Sequence, residues 1–212
     1  MPTQLKNGAT TTPRAKDGRI SYEEFLRTDL EDNHVEWVDG RIVPMAPVSS
    51  GHQDLGGFLL TLLSMFIEAH DLGVILYDPF QMKTGTDLPG RAPDIQFISK
   101  RNLSRLKKNH LEGPADLVIE IISPGSRSVD RGDKHYEYER GGVREYWLLD
   151  PDRRQAEFYV LGRDRIYRPG KLEDEHLFRS TVMKGLWIDV RWLWAHPRPT
   201  LQSILKQWKV LK

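Results

Sequence analysis

The sequence contains no cysteine among its 212 residues. Disulfide bonds, thiolate zinc sites and cysteine nucleophiles are therefore excluded, and a cytoplasmic location is the natural expectation. No apolar run approaches the roughly 20 residues of a membrane-spanning helix, so we expect no membrane partner. An apolar segment typical of a signal peptide is also missing near Met1, and residues 1–18 are predicted to form a disordered tail.

The chain also lacks a strong excess of either charge. Its 31 basic and 30 acidic residues give a formal net charge of +1. A protein that binds nucleic acid through bulk charge is usually more basic, so any such binding must use a local patch. One segment without acidic residues is a candidate for contacts with phosphates: Lys100, Arg101, Arg105, Lys107 and Lys108. The alternative is a solvated surface loop, as is usual for a run of charges.

Hydrophobic periodicity predicts an α/β protein. We expect residues 19–212 to form a single domain, because no repeat or linker is present, with a peripheral segment at the C-terminal end. Ser21 and Glu24 form a capping box before a short helix, and Asp39-Gly40 is a type I′ turn pair in a hairpin over residues 34–43. Helices are predicted over residues 51–69, 129–140 and 201–210, and strands over residues 73–77, 80–83, 92–98, 116–122, 145–149, 155–161 and 165–167.

Glu120 lies inside the apolar run of residues 116–122, which is typical of a strand buried on both faces. A buried carboxylate costs several kcal/mol unless something compensates its charge. A metal ion is one such compensation, and a basic partner in a structural ion pair is the other. The run alone does not favour either.

Asp94 follows Pro93 at the start of another apolar segment, 26 residues before Glu120. That interval allows the chain to return to a neighbouring strand, which would bring the two carboxylates to one edge of a sheet. Oxygen ligands of this kind suit Mg²⁺ or Mn²⁺, and such an ion activates water and polarises a phosphoryl oxygen. Taken by itself, Asp94 would be interpreted as an ordinary acid at the start of a strand. Its assignment as a metal ligand depends on Glu120.

Five segments occur in the order and spacing that resemble the Uma-two family of restriction endonucleases, within the PD-(D/E)XK nuclease superfamily. They are VEWVDG at residues 35–40, APD at 92–94, DLVIEIISP at 116–124, DK at 133–134 and GVREYWLLDP at 142–151. The resemblance implies a restriction-endonuclease-like mixed central sheet flanked by helices. It also implies Asp94 and Glu120 as ligands of Mg²⁺ or Mn²⁺, Glu36 as the acid that completes the cluster as a third ligand, DNA as the substrate and a homodimer.

The sequence departs from the superfamily pattern at one position. The pattern has a lysine two residues after the second acid, where this chain has Ile122. Lys134, on the helix predicted to follow, is our candidate for the missing base. The alternative is a lysine that faces water, as charged residues on amphipathic helices usually do. For Glu36, the alternative is an exposed strand residue.

Two functions follow from these observations. The first is a metal-dependent endonuclease that hydrolyses phosphodiester bonds in DNA. The second is a catalytically inactive nucleic-acid-binding or interaction protein on a nuclease scaffold, since a fold does not determine a function and the usual lysine is absent. His52 is expected to hydrogen-bond to the backbone at the start of its helix, and the alternative is a role near the site. The tryptophans of the C-terminal third are expected either to form a dimer interface or to pack on the core: Trp187, Trp192, Trp194 and Trp208.

Overall fold

The computed structural model describes residues 18–28 and 34–211, so the tail expected before Gly18 lies outside the described residues. In these ranges the α-helices are α1 (Tyr22–Phe25), α2 (Ser50–Ala69), α3 (Arg127–Val129), α4 (His135–Gly141), α5 (Val190–Trp194) and α6 (Leu201–Gln207). A π-helical turn, Asp130–Lys134, joins α3 to α4, and a 3₁₀ helix covers Lys100–Arg105. None of the described helices is both long enough and apolar enough to cross a bilayer.

The described strands form three sheets. They are β1 (Val35–Val38), β2 (Arg41–Pro44), β3 (Gly73–Tyr77), β4 (Gln81–Lys83), β5 (Gly90–Arg91), β6 (Ile95–Ser99), β7 (His110–Glu112), β8 (Leu117–Ile121), β9 (Glu145–Asp150), β10 (Gln155–Leu161), β11 (Tyr167–Pro169), β12 (Leu172–Glu173), β13 (Leu177–Arg179) and β14 (Trp187–Asp189). The central sheet has six strands in the order β11-β10-β9-β8-β6-β3. The β8–β9 pair is parallel and the other pairs are antiparallel. This mixed sheet confirms the predicted fold class.

Strand β8 is the middle of the core because both of its faces are covered. Leu117, Ile119 and Ile121 pack in the cluster that contains the apolar side of α2. Val118 and Ile122 point the other way and pack with Tyr138 of α4. The alternation of side chains along a strand explains this division, and it explains why the run is almost continuously apolar.

A second sheet, in the order β2-β1-β5-β4-β7, flanks one end of the molecule. Its β1–β2 hairpin turns at Asp39 and Gly40, which have φ angles of 49° and 83°. Both values are positive, as the predicted type I′ turn requires. The two-residue strand Gly90–Arg91 pairs with both β1 and β4 and brings Arg91 towards Glu36.

The C-terminal segment, which was expected to be peripheral, contributes side chains to the core. Trp192 and Trp208 are buried in the same cluster as α2, and the Trp208 ring lies 5.2 Å from the ring of Phe66. Glu145 of the central sheet accepts hydrogen bonds from the backbone and the hydroxyl of Thr181 at 2.6 and 2.7 Å. Periodicity did not reveal this packing because the elements are too short to show a repeat. For Trp192 and Trp208, core packing is the correct alternative.

Candidate functional site

Asp94 and Glu120 lie side by side at one end of the central sheet. Strands β6 and β8 are antiparallel neighbours in which Ile95 pairs with Ile119, and Asp94 comes directly before β6. The backbone N–H of Ile121, the residue after Glu120, donates to Asp94 Oδ2 at 2.6 Å. The pairing that the sequence predicted for these acids is therefore present.

Glu120 faces the α4 side of the sheet, where Ile122 is a core residue. The Glu120 side chain is only 2% exposed. Its Oε1 accepts a 2.6 Å hydrogen bond from the Tyr138 hydroxyl and lies 3.1 Å from Lys134 Nζ. Ile122 belongs to the same apolar cluster as Tyr138, and the basic group that reaches Glu120 comes from Lys134 of the π-helical turn instead of from the strand.

Lys134 is buried among carboxylates. Lys134 is only 4% exposed, so the alternative that its side chain faces water is wrong. Besides Glu120, its Nζ lies 3.2 Å from Asp130 Oδ1 and 3.6 Å from Glu36 Oε1. Burial alone would lower the pKa of Lys134, but the acids, with Glu120 first, raise it well above its usual value. Lys134 is therefore an ammonium at neutral pH.

Glu36 is also buried, at 4% exposure, so the alternative of an exposed strand residue is wrong. Its Oε2 pairs with the Arg91 guanidinium at 2.6 Å, and its Oε1 accepts from the Ala92 N–H at 3.3 Å. Arg91 also forms a two-point contact with Glu137, at 2.7 and 2.8 Å. Although burial favours the neutral acid, Lys134 and Arg91 lower the pKa of Glu36. Glu36 is thus an ionised partner of two cations.

His52 contacts Asp94 through its side chain, so its ring lies near the site, as the alternative interpretation had it. Its Nε2 lies 3.1 Å from Asp94 Oδ2, and its ring is almost fully buried. Only the backbone N–H of His52 makes the local contact, to the Ser49 hydroxyl that caps α2. The expectation that the His52 ring binds the backbone was wrong, because strand β6 brings Asp94 against the first turn of the helix.

The oxygens of Asp94 and Glu120 fit a divalent cation that retains water ligands. In residues 18–28 and 34–211, no side chain donates to Asp94 Oδ1 or Glu120 Oε2, whereas the other oxygen of each acid is engaged. The same ranges contain no group of three His, Asp or Glu side chains arranged to hold a metal. Mg²⁺ is commonly held by one or two carboxylates plus waters and substrate phosphates, so a pair of oxygens suits it.

The electrostatic balance at this end of the sheet is acidic. Burial raises the pKa of Glu120 well above its usual value; Lys134 opposes this shift, and Asp94 and Asp130 add to it. Each additional negative charge in a buried cluster makes ionisation of the next acid less favourable. A site of this composition gains from a bound cation, which supplies the charge that the protein lacks.

A cleft of about 280 Å³ opens over these groups. Its lining includes the acids and Lys134, residues that follow β2, and Ser123 and Ser126. The buried cluster thus has access from solvent through a concave surface, which is the usual form of a site that binds a small part of a larger substrate.

The predicted basic segment lies away from this cleft. It begins after Ser99, at the opposite end of β6 from Asp94, a distance of roughly 17 Å along the strand. Several of its charges have local partners: Lys100 with Asp71, Arg101 with Asp116, Arg105 with the Pro114 carbonyl and Lys107 with Glu112. The segment and the acids are therefore separate, and contacts of this segment with phosphates stay a prediction.

Comparisons with known proteins agree with the fold. A crystal structure described as a "putative nuclease belonging to DUF820" from Anabaena variabilis ATCC 29413 matches with a TM-score of 0.66 and 16% identity, over 82% of this chain and 97% of that chain. This likeness shows that the two chains share a fold. The model of the Uma2 family, described as "Putative restriction endonuclease", matches residues 22–191. The chain belongs to this family. None of the curated proteins matches it.

Sequence reasoning missed Asp130, Arg91 and Tyr138 as neighbours of the acids. Asp130, Lys134 and Tyr138 recur at intervals of four along the helical region, which was a usable signal for one shared helix face. Arg91 offered no such signal, because its contact with Glu36 spans 55 positions and depends on a two-residue strand.

Proposed function

We propose that this protein is a Mg²⁺- or Mn²⁺-dependent endonuclease that hydrolyses phosphodiester bonds in DNA. One observation carries the proposal: Asp94, Glu120 and Lys134 converge in a single solvent-accessible cleft. Membership of a family described as restriction endonucleases supports it.

In this proposal Asp94 and Glu120 would hold the ion. When bound, the ion would activate water and polarise a phosphoryl oxygen. His52 and the Ile121 N–H fix Asp94 Oδ2 and so orient the opposite oxygen. Tyr138 does the same for Glu120. Support of this kind commonly determines how well a metal ligand works.

Lys134 serves as a fixed positive charge in the proposed reaction. Its raised pKa means that it does not accept a proton at neutral pH, so we assign it to stabilisation of negative charge on the phosphate. Glu36 was expected to be a third ligand. Because its oxygens are engaged by Arg91 and the Ala92 N–H, we assign it instead to holding Lys134 in place.

A second candidate is nucleic-acid binding without hydrolysis. The presence of Ile122 in place of the superfamily lysine favours it, and so does the absence of a three-residue metal cage in the described ranges. The two candidates differ in whether Mn²⁺ binds and whether strands are cut.

Calorimetric titration with Mn²⁺ and a plasmid-nicking assay separate them. The parent protein is expected to bind Mn²⁺ and to nick the plasmid. Asp94→Asn and Glu120→Gln are each expected to lose about a thousandfold in nicking rate, since several kcal/mol of charge stabilisation disappear. Glu68→Gln, which removes an exposed carboxylate of α2, is the control and should match the parent. Cleavage retained by both site variants would exclude these acids, and DNA binding without Mn²⁺ binding would establish the second candidate.

A further inference from the structure

A second cavity adjoins the cleft on the other side of Asp94. It has a volume of about 250 Å³ and shares four residues with the cleft: Val48, His52, Asp94 and Ile121. Gly57 of α2, Tyr77 at the end of β3 and Asp78 form its outer part. Asp94 therefore lies between two concavities, and a polymer that crosses it places successive units on the two sides.

The residues that line the second cavity do not suit a phosphate. Neither Lys nor Arg occurs among the described residues that line it, whereas Asp78 and Asp94 contribute carboxylates. Phosphate contacts in proteins come mainly from cations and N–H donors. A neutral group is the better occupant of this space.

Tyr77 gives the second cavity a surface for a flat ring. Its side chain belongs to the few large apolar groups that are well exposed, at 57%. Aromatic side chains of this kind stack on nucleobases, and stacking tolerates any base because every base has a π-face. The second cavity is smaller than pockets that bind drug-sized molecules, so it matches one base better than a whole oligonucleotide.

Helix α2 leaves the space open because it carries glycine there. A Cβ at Gly57 would meet no atom within 4 Å, and a Cβ at Gly56 would lie 3.4 Å from Ile121 Cδ1. Gly57 thus leaves room for a ligand, and Gly56 allows the helix to approach the end of β8. Neither has a backbone conformation that requires glycine.

We propose that the second cavity binds a nucleobase adjacent to the scissile phosphate, stacked on Tyr77. A base inside a duplex is paired and stacked, and it must leave the helix to enter a pocket. The preferred substrate is therefore nucleic acid with an unpaired nucleotide beside the cut, such as a single strand, a flap or a bubble. This inference rests on the proposed nuclease function.

The first test compares substrates of one sequence in Mn²⁺: a single strand, a duplex with a central bubble and a fully paired duplex. We expect the first two to be cut at least about tenfold faster than the third, because pairing and stacking oppose entry of the base. Equal cleavage of the paired duplex would overturn the proposal while leaving the proposed nuclease function intact.

The second test fills the cavity. Gly57→Leu is expected to lower cleavage of the unpaired substrates about tenfold, while its thermal midpoint stays the same or rises because leucine favours helix over glycine. Gly51→Leu, an exposed change in the same helix outside both cavities, is the matched control and should cut like the parent. Parent-like cleavage by Gly57→Leu contradicts the proposal.

Binding gives a readout that does not depend on turnover. Fluorescence anisotropy with a labelled single strand, in EDTA, should show about tenfold weaker binding by Tyr77→Ala and unchanged binding by Tyr77→Phe, which keeps the ring. Equal binding by Tyr77→Ala and the parent would overturn the base site. If these variants behave as expected but nothing is cut in Mn²⁺, the proposed hydrolysis fails and the base site stands.

Discussion

The two ends of the β6–β8 strand pair each bury an acid, but they treat it differently. At one end, Asp116 accepts from the Ser99 N–H at 2.8 Å and from the Asn102 amide at 2.9 and 3.0 Å. The guanidinium groups of Arg101 and Arg144 lie 3.2 and 3.5 Å from it. Every charge at this end has been compensated by partners within the fold.

At the end of the strand pair that holds Asp94 and Glu120, the acids outnumber the groups that pair with them. Asp94 and Glu120 each keep one oxygen without a donor from the described residues, and Asp130 Oδ1 has no hydrogen bond although it lies 3.2 Å from Lys134. The comparison shows that burial of an acid does not by itself indicate a functional site. Unbalanced charge and unsatisfied oxygens beside a cleft are the stronger sign.

Among the substitutions that test this comparison, loss of Lys134 should have the largest combined effect on cleavage and stability, because it removes the main cation of the acidic end. Lys134→Met is expected to lower the cleavage rate at least about a hundredfold and the free energy of unfolding by about 3 kcal/mol. Single-turnover cleavage and urea unfolding measure the two quantities. Adding Glu120→Gln should restore part of the stability and none of the activity, since glutamine needs no counter-charge. Parent-like cleavage by Lys134→Met would remove Lys134 from the mechanism.

Loss of Asp116 should affect stability alone. Asp116→Ala leaves the Ser99 N–H and the Asn102 amide without acceptors, so we expect the free energy of unfolding to fall by about 2 kcal/mol. Cleavage per folded molecule should equal that of the parent in a single-turnover assay. A loss of cleavage in the folded variant would mean that the two ends are coupled, and the contrast between them would then be wrong.

Loss of the His52 ring tests how the Asp94 carboxylate is held in its orientation. His52→Ala frees Asp94 Oδ2 from one of its partners, and we expect Mn²⁺ affinity to fall about tenfold, as for other groups that orient a metal ligand. His52→Gln can still donate to Asp94 and should recover most of the affinity in the same calorimetric titration. Equal affinities for the parent and His52→Ala would show that the Ile121 N–H alone holds Asp94.

The smallest expected effect is a dependence of stability on pH at the compensated end. Burial alone would raise the pKa of Asp116, but the contacts from Asn102, Ser99 and Arg101 lower it below its ordinary 3.8. A carboxyl group with a lowered folded-state pKa stabilises the protein above that ordinary value, and this contribution is lost as the pH falls. Asp116→Asn lacks this group, so its stability difference from the parent should shrink below about pH 4 in urea titrations. A stability difference that stays constant with pH would contradict the lowered pKa of Asp116.

The sequence predicted elements and contacts that depend on local patterns. The buried strand around Glu120, the long helix α2 and the Asp39-Gly40 turn follow from periodicity and turn chemistry, and family motifs pointed to Asp94, Glu120 and Lys134. Contacts between distant segments could not be predicted in this way. The His52–Asp94 contact spans 42 positions and exists only because β6 ends against α2.

The C-terminal elements show a second limit. Strands β12 to β14 have two or three residues each, too few for alternation to be visible. Their side chains, such as Phe178 and Ile188, nevertheless complete the core around α2. Apolar residues in short irregular segments therefore did not indicate which side of the segment faces the core, although their number alone indicated that they would be buried.

The π-helical turn at Asp130–Lys134 has a consequence for how such chains are aligned. A π turn contains one residue more than an α turn, and each α-helical residue rotates the chain by about 100°. The turn thus acts as a one-residue insertion that resets the phase of the helix. Before it, Arg127 contacts Asp150; after it, Tyr138 contacts Glu120. Against a relative whose helix is α-helical throughout, an alignment without a gap here would match Lys134 to a residue on another side of the helix and would miss the cation of the site.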